Sequence, residues 1–401
     1  MNVIFLTMSR ISGISSRSIY SDLLRRFRDE GHRVYIVTPH ERMLNKPTEV
    51  SESEGVSILG VRTLNLQKTS VMEKGVGQLL VESQFKSAIK HYFPGVKFDL
   101  ILYSTPPITF PRVIRYLKKR NPQAETYLLL KDIFPQNAVD LGMMSKTGVK
   151  GIIYRFFRRK EKLLYRLSDN IGCMSPANVE YVLKHNGEID AERVEVAPNS
   201  VELKEPLHID RVLVRQKYNL PTDCPVFIYG GNLGKPQGIP FIIDCLSANA
   251  YRTDCHFLIV GSGTEFPKVK KWWEEMRPGS VTVMDGLPKN EYDELVSACD
   301  VGLIFLDHRF TIPNYPSRLL SYLENKMPVV CATDPNTDIG TIAEHNGYGL
   351  WCESDSVDSF TRQIDKMISS DLKSMGEKGY EFLIRNYLVG NTYDVIMKHI
   401  S

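Results

Sequence analysis

Short apolar runs alternate with amphipathic stretches along nearly the whole chain. VIFLTM (3–8) leads to IYSDLLRRFRDEGH (19–32), whose apolar positions recur three and four residues apart until Gly31 ends the pattern. That text predicts a strand followed by a helix with a glycine stop. The rhythm returns at RVYIVTP (33–39), VSILGVRTL (56–64), FDLILYST (98–105), ETYLLLKDIFP (125–135), NIGCMSP (170–176) and RVEVAPN (193–199). Near-continuous apolar strands spaced by helices predict a parallel sheet covered on both faces. VELKEPLHIDRVLVRQKYNLPTDCP (201–225) is polar and broken by prolines, and after it the rhythm restarts. The later runs are VFIYGG (226–231), CHFLIVGSG (255–263), SVTVMDGL (280–287), DVGLIFL (300–306), MPVVCAT (327–333) and YGLWCE (348–353). The pattern predicts an α/β protein of two doubly wound units, 1–203 and 204–380. Residues 381–401, the end of the helical stretch SMGEKGYEFLIRNYLVGNTYDVIMKHI (374–400), are expected to return to the first unit.

Open parallel sheets bind ligands beyond the carboxyl ends of their strands, so two such sheets face to face predict a cleft lined by the loops after each strand. Composition narrows the chemistry. With 401 residues and 42% apolar content there is material for two cores, and a net charge of +3 from 50 basic and 47 acidic residues gives no field for nucleic acid. The seven cysteines show no C-x-x-C spacing, which points to a reducing cytoplasm and no structural metal. MNVIFLTMSR is too short an apolar run for a signal peptide, and no stretch approaches about 18 uninterrupted apolar residues.

The loops hold the candidate chemistry. In YGGNLGKPQGIPFIIDCL (229–246), Gly230, Gly231 and Gly234 let backbone amides approach a phosphate, with Asn232 between them. Lys235 adds charge and the following helix adds its positive end, although a tight strand-to-helix turn also explains the glycines. GSGTEF (261–266) offers Gly261 and Ser262 but lacks the full G-x-G-x-x-G fingerprint, and SRISGISS after the first strand has only Gly13. Those omissions, with the missing Walker pattern, count against a nicotinamide, flavin or P-loop enzyme. In GLPKNEYDELVSACDVGLIFL (286–306), Leu287 and Pro288 suit the wall of a flat base, or simply a turn.

IPNYPSRLLSYLENKMPVV (312–330) is the densest stretch. Pro316 is expected in the first turn of a helix, Asn314, Tyr315 and Ser317 around its start, and Arg318 one turn inside. Backbone amides, a positive helix end and a guanidinium together describe a diphosphate seat. In the first unit, LLLKDIFPQNAVDLGMM (128–144) puts Lys131 and Asp132 at a strand end. Asp132 there is placed to accept a proton or orient a hydroxyl, with a helix cap or a pair with Lys131 as alternatives. Gly13, Arg17 and Lys131 are the candidate acceptor contacts.

KTGVKGIIYRFFRRKEKLLYRL (146–167) is locally basic, with seven Lys or Arg and one Glu between Lys150 and Arg166. Val149, Ile153, Phe156, Leu163 and Leu167 share one helical side, the pattern of a membrane-surface helix or of a core helix with a charged outer face.

With both halves read, nearly the full chain resembles the family 4 glycosyltransferases of the GT-B fold. In that family a nucleotide-sugar donor sits on the second domain and the acceptor on the first. The likeness rests on EGHRVYIVT (30–38), VEVAPNSVE (194–202) against P-N-G-V-D, the glycine loop at 229–238, IVGSGTE (259–265), and PSRLLSY…MPVV (316–330) against P-S-K-x-x-E-Y…P-V. LLLKDIFPQNAVDLGMM further resembles the subgroup that transfers N-acetylfucosamine or related aminosugars in surface-polysaccharide synthesis. Departures are clear as well. Asn232 and Gln237 stand where many members carry Arg and Lys, Pro313 and Ser321 fall on the E-x7-E positions, and Asp132 stands in for a first-domain histidine. The resemblance implies a retaining transferase with a UDP-sugar donor, a polyprenyl-diphosphate-linked acceptor, and a place at the inner face of the cytoplasmic membrane, docked through 146–167. Catalytic roles are expected at Asp132, Lys235 and Arg318, donor contacts at Gly231, Asn232, Gly261, Ser262, Leu287, Pro288, Asn314 to Ser317 and Ser321, and no metal or cofactor. A nucleotide-sugar epimerase of the same fold and a non-catalytic sugar-nucleotide-binding subunit are the rival readings.

Overall fold

The apolar runs form strands because each is covered on both faces. A computed structural model of the protein describes residues 1–66, 71–204 and 209–400, the side chains of 71, 72, 74 and 75 apart. The chain divides into one unit of Met1–Glu202 with Val389–Ser401 and another of Leu203–Leu388. Of the expected linker, 205–208 lie outside the described residues.

The first unit carries β1 (Asn2–Leu6), β2 (Arg33–Glu41), β3 (Glu49–Ser53), β4 (Val56–Thr63), β5 (Leu100–Ser104), β6 (Glu125–Leu130), β7 (Asn170–Cys173) and β8 (Val194–Val196). They lie in the order β3-β4-β2-β1-β5-β6-β7-β8, so the direction of winding reverses between β1 and β5. All neighbours run parallel except β3 and β4, a hairpin whose turn holds Glu54 and Gly55 at positive φ. The core is built from Phe5, Leu24, Phe27, Ile36, Leu102 and Leu129, each at most 1% exposed. Ser18 caps the Ile19–Asp29 helix, its hydroxyl accepting the Ser21 amide at 3.0 Å, and Gly31 at φ +81 stops it.

The Val389–Met397 helix packs on the Ile19–Asp29 helix. Tyr393 lies 5.0 Å from Phe27 between ring centres, and its hydroxyl meets His32 Nε2 at 2.8 Å. The preceding helix, Leu372–Asn386, stays in the second unit. Its Gly376 lies so close to the Lys326 carbonyl that a Cβ there would fall 1.8 Å from that oxygen, and Gly379 lies on Leu323 in the same way. The return expected at 381 therefore begins at Val389.

The second unit holds β9 (Val226–Asn232), β10 (His256–Ser262), β11 (Val281–Asp285), β12 (Val301–Phe305), β13 (Val329–Thr333) and β14 (Gly349–Glu353). All are parallel, in the order β11-β10-β9-β12-β13-β14. Winding reverses between β9 and β12, and the loops leaving those two strands open the crevice where such sheets take ligands. Among the described residues no helix is long and apolar enough to cross a membrane.

Candidate active site

The loop after β9 is a braced cradle. Tyr229, buried in the middle of β9, donates its hydroxyl to the Asn232 carbonyl at 2.7 Å. Gln237 turns inward, and its Oε1 accepts the Gly234 amide at 2.9 Å and Asn232 Nδ2 at 3.3 Å. Asn232 and Gln237 therefore bond to each other and shape the loop. Lys235 opens the short Lys235–Gln237 turn and is exposed. The β10 loop is stitched alongside, with the Leu233 amide on the Ser262 carbonyl at 2.8 Å and the Glu265 amide on the Leu233 carbonyl at 3.0 Å. A Cβ on Gly261 would meet the Gly231 carbonyl at 1.9 Å, so the glycine is required for the two strand ends to lie this close.

Arg318 reaches this cradle from the loop after β12. It is the first residue of the Arg318–Glu324 helix, not one turn inside it, and Pro316 stands before the helix with its carbonyl accepting the Leu319 amide. Arg318 Nη1 donates to the Gly230 carbonyl at 3.2 Å, and the guanidinium lies 4.2 Å above the Tyr229 ring centre. Its carbon is 3.9 Å from where a Cβ on Gly231 would be. Tyr292 covers Gly230 from the Lys289–Ser297 helix, and the Tyr322 hydroxyl accepts the Gly230 amide at 3.2 Å. Burial works against the charge of Arg318 while the hydroxyls of Tyr229, Tyr322 and Tyr292 favour it, and its pKa ends above the ordinary value. A cation pinned flat against an aromatic face is arranged to receive an oxyanion, whereas the Gly230 and Gly234 amides expected to meet a phosphate are already given to the Tyr322 hydroxyl and to Gln237 Oε1.

Other expected residues divide by their partners. Ser317 precedes the helix and is exposed, while Ser321, one turn after Arg318, is half-buried. The Asn314 amide is held by Thr337 Oγ1 at 3.0 Å. Tyr315 does not offer its hydroxyl to the crevice; that group pairs with the Tyr387 hydroxyl at 2.5 Å. Leu287 and Pro288 form the loop between β11 and the helix that carries Tyr292. Sequence reasoning missed Asp307, just past β12, which takes Arg309 in a two-pronged ion pair at 2.8 and 2.7 Å. Burial opposes its ionisation but the Arg309 bonds prevail, and the carboxyl titrates below its usual value. Its amide bonds the Pro236 carbonyl at 2.9 Å, tying the β12 loop to the cradle.

In the first unit, Thr105 organises the end of β6. Its Oγ1 accepts the amides of Lys131 at 2.9 Å and Asp132 at 3.2 Å. Asp132 neither pairs with Lys131 nor caps a helix: both its oxygens accept Asn137 Nδ2 at 2.9 Å. Burial, offset in part by the Asn137 bond, raises its pKa to about 6. Lys131 Nζ reaches the Ala197 carbonyl at 3.3 Å, and burial pulls its pKa down to about 7. Two adjacent groups that both titrate near neutrality are a mark of functional positions. Gly13 sits in the loop after β1 with Ser53 Oγ 3.3 Å from its missing Cβ. Arg17 donates to the Glu202 carbonyl and lies 3.7 Å from Asp22, so it binds the loop to the chain itself.

Two doubly wound parallel-sheet units, each with its winding reversed at a central strand pair, define the GT-B fold. Residues 18–205 match the Glycosyltransferase Family 4 domain and residues 210–382 the Glycosyl transferases group 1 domain, and the chain is a glycosyltransferase. It is 25% identical over 326 residues to the probable glycosyltransferase WbjE of Pseudomonas aeruginosa, covering 80% of this chain and 78% of that one. Identity to the putative colanic acid biosynthesis glycosyl transferase WcaI of Escherichia coli K12 is 24% over 290 residues, 69% of each chain. Among solved structures, HepE of Anabaena in complex with UDP-glucose shares the fold at a TM-score of 0.69 and 14% identity, over 100% of this chain and 99% of that one.

Proposed function

We propose that the protein is a retaining glycosyltransferase of bacterial surface-polysaccharide synthesis, acting in capsule or O-antigen assembly. It moves an N-acetylated aminosugar of the N-acetylfucosamine type from a UDP-sugar to a polyprenyl-diphosphate-linked acceptor at the inner face of the cytoplasmic membrane, which it contacts through 146–167. The observation that carries the donor half is Arg318, stacked on Tyr229 beside Gly230 and Gly231. A departing diphosphate develops negative charge, and a pre-positioned guanidinium stabilises it without reorganisation. Lys235 adds a second cation, and neither a metal nor a cofactor is invoked. WcaI, a putative colanic acid enzyme, supports the pathway class, and HepE, solved with UDP-glucose, supports the donor class. In the first unit Asp132, poised near pH 6, receives or orients the acceptor proton, with Lys131 beside it.

Transfer from a panel of UDP- and GDP-sugars to defined lipid-diphosphate sugars, with the anomer of the product determined, tests the reading. The expected result is an acceptor-dependent product of retained configuration. A new sugar nucleotide formed from donor alone makes the protein an epimerase, and UDP binding without turnover across the panel makes it a binding subunit.

A further inference from the structure

The first half of the Gly148–Leu167 helix is built inside out. Its inward side is set by Gly151, Glu161, Leu164 and Tyr165, all buried. On the opposite side Val149, Ile152, Ile153 and Phe156 are exposed by 79, 61, 48 and 41%. Their spacing of three, four and seven residues puts them in one stripe, the face where a core helix carries its charges. Lys150, Arg155 and Arg159 are exposed beside the stripe, and residues 141–160 contain no Asp or Glu.

The second half of the helix uses its cations differently. Arg158 is held by Glu161 at 2.6 Å and Asn186 at 2.7 Å, Lys160 by Glu82 at 3.2 Å, and Lys162 by Glu188 at 3.1 Å. The basic segment therefore splits by face into packed cations and outward ones.

We infer that the Val149–Phe156 stripe with Lys150, Arg155 and Arg159 is a docking face for an anionic lipid surface. It sharpens the membrane contact proposed above, and rests on that reading, by assigning it to the outward face of one helix between 149 and 159. Apolar side chains entering the acyl boundary beneath a rim of cations meeting phosphate headgroups is the arrangement of an interfacial helix. Charge also decides against a second copy as the occupant, since a self-complementary contact through the stripe would bring three cations against three with no carboxylate in 141–160 to pair them.

The test is flotation of the full chain with vesicles of phosphatidylcholine alone and of phosphatidylcholine mixed with phosphatidylglycerol. Partitioning rises with the anionic lipid and falls with salt. Lys150→Gln, Arg155→Gln and Arg159→Gln together lower it on the order of a hundredfold on the mixed vesicles. Ile152→Ser with Phe156→Ser lowers it at least about tenfold. These exposed substitutions leave the melting temperature unchanged, whereas Arg158→Gln and Lys160→Gln lower it. Partitioning indifferent to phosphatidylglycerol or to the five outward substitutions overturns the inference. So does a dimer, seen by sedimentation, that Ile152→Ser with Phe156→Ser dissociates while vesicles go unbound. No sugar donor enters the assay, so a failure here and a failure of the transferase reading are told apart.

Discussion

Replacing Arg318 by alanine removes the cation at the glycine cradle. Two contacts hold it in place, the Tyr229 ring at 4.2 Å and the Gly230 carbonyl at 3.2 Å. Stacking of this kind is worth about 0.5–2 kcal/mol and means that little side-chain freedom is lost when a ligand arrives. On the proposed role, the substitution removes a charge-assisted bond to the donor diphosphate, about 1.5–3 kcal/mol. At about 1.4 kcal/mol per tenfold, kcat/KM at subsaturating donor falls roughly ten- to a hundredfold. Arg318→Lys keeps a charge without the planar face and recovers part of the loss. Tyr229→Phe keeps the ring but removes the 2.7 Å bond to Asn232, which costs the few-fold expected of one neutral bond, about 0.5–1.5 kcal/mol. Calorimetry with uridine, UMP and UDP isolates the phosphate contribution, and the increment from uridine to UDP is what Arg318→Ala diminishes. If Arg318→Ala keeps both its kcat/KM at low donor and the full uridine-to-UDP increment, the guanidinium serves the fold alone and the diphosphate lies elsewhere.

Asp132, with a pKa raised to about 6, is a carboxylate above that pH and a neutral acid below it. As the acceptor's base it gives kcat/KM an acid limb that falls about tenfold per pH unit below 6, and Asp132→Asn removes the limb together with roughly a hundredfold or more of the rate; an unchanged limb in that variant assigns the proton to another group. Gly261→Ala forces a Cβ to within 1.9 Å of the Gly231 carbonyl, a backbone atom that cannot swing aside. The expected result is a loss of about 1–3 kcal/mol of stability with weakened UDP binding. Gly279→Ala, with nothing within 4 Å of the new Cβ, is the matched control in thermal unfolding.

The strands were legible because most of them are apolar runs buried on both faces, and only β3 escaped. EVSES shows no alternation, as a polar edge strand does, and the turn that folds it back puts Glu54 as well as Gly55 at positive φ. The end of the second unit was hidden for another reason. Helical periodicity runs on through 374–400, and the reason its first part stays with the second unit is the fit of Gly376 to a carbonyl fifty residues away in sequence, at Lys326. At the site, location followed from the rule that ligands gather beyond strand ends, but roles depended on pairings no local text reveals. Tyr315 read as a ligand contact and bonds Tyr387 instead; Gln237 read as a missing cation and braces the loop. Tyr229, Tyr292 and Tyr322 come from a strand and two helices and carry no local signal, yet together they seat Arg318 and cover Gly230. The Asp307–Arg309 pair had a signal, an Asp-x-Arg directly after an apolar strand, that went unused. In the glycine loop Asn232 and Gln237 bond to each other, and a guanidinium from 88 residues further on lies against the same glycines. The guanidinium against those glycines thus comes from the loop after β12, an arrangement that only the fold brings into view.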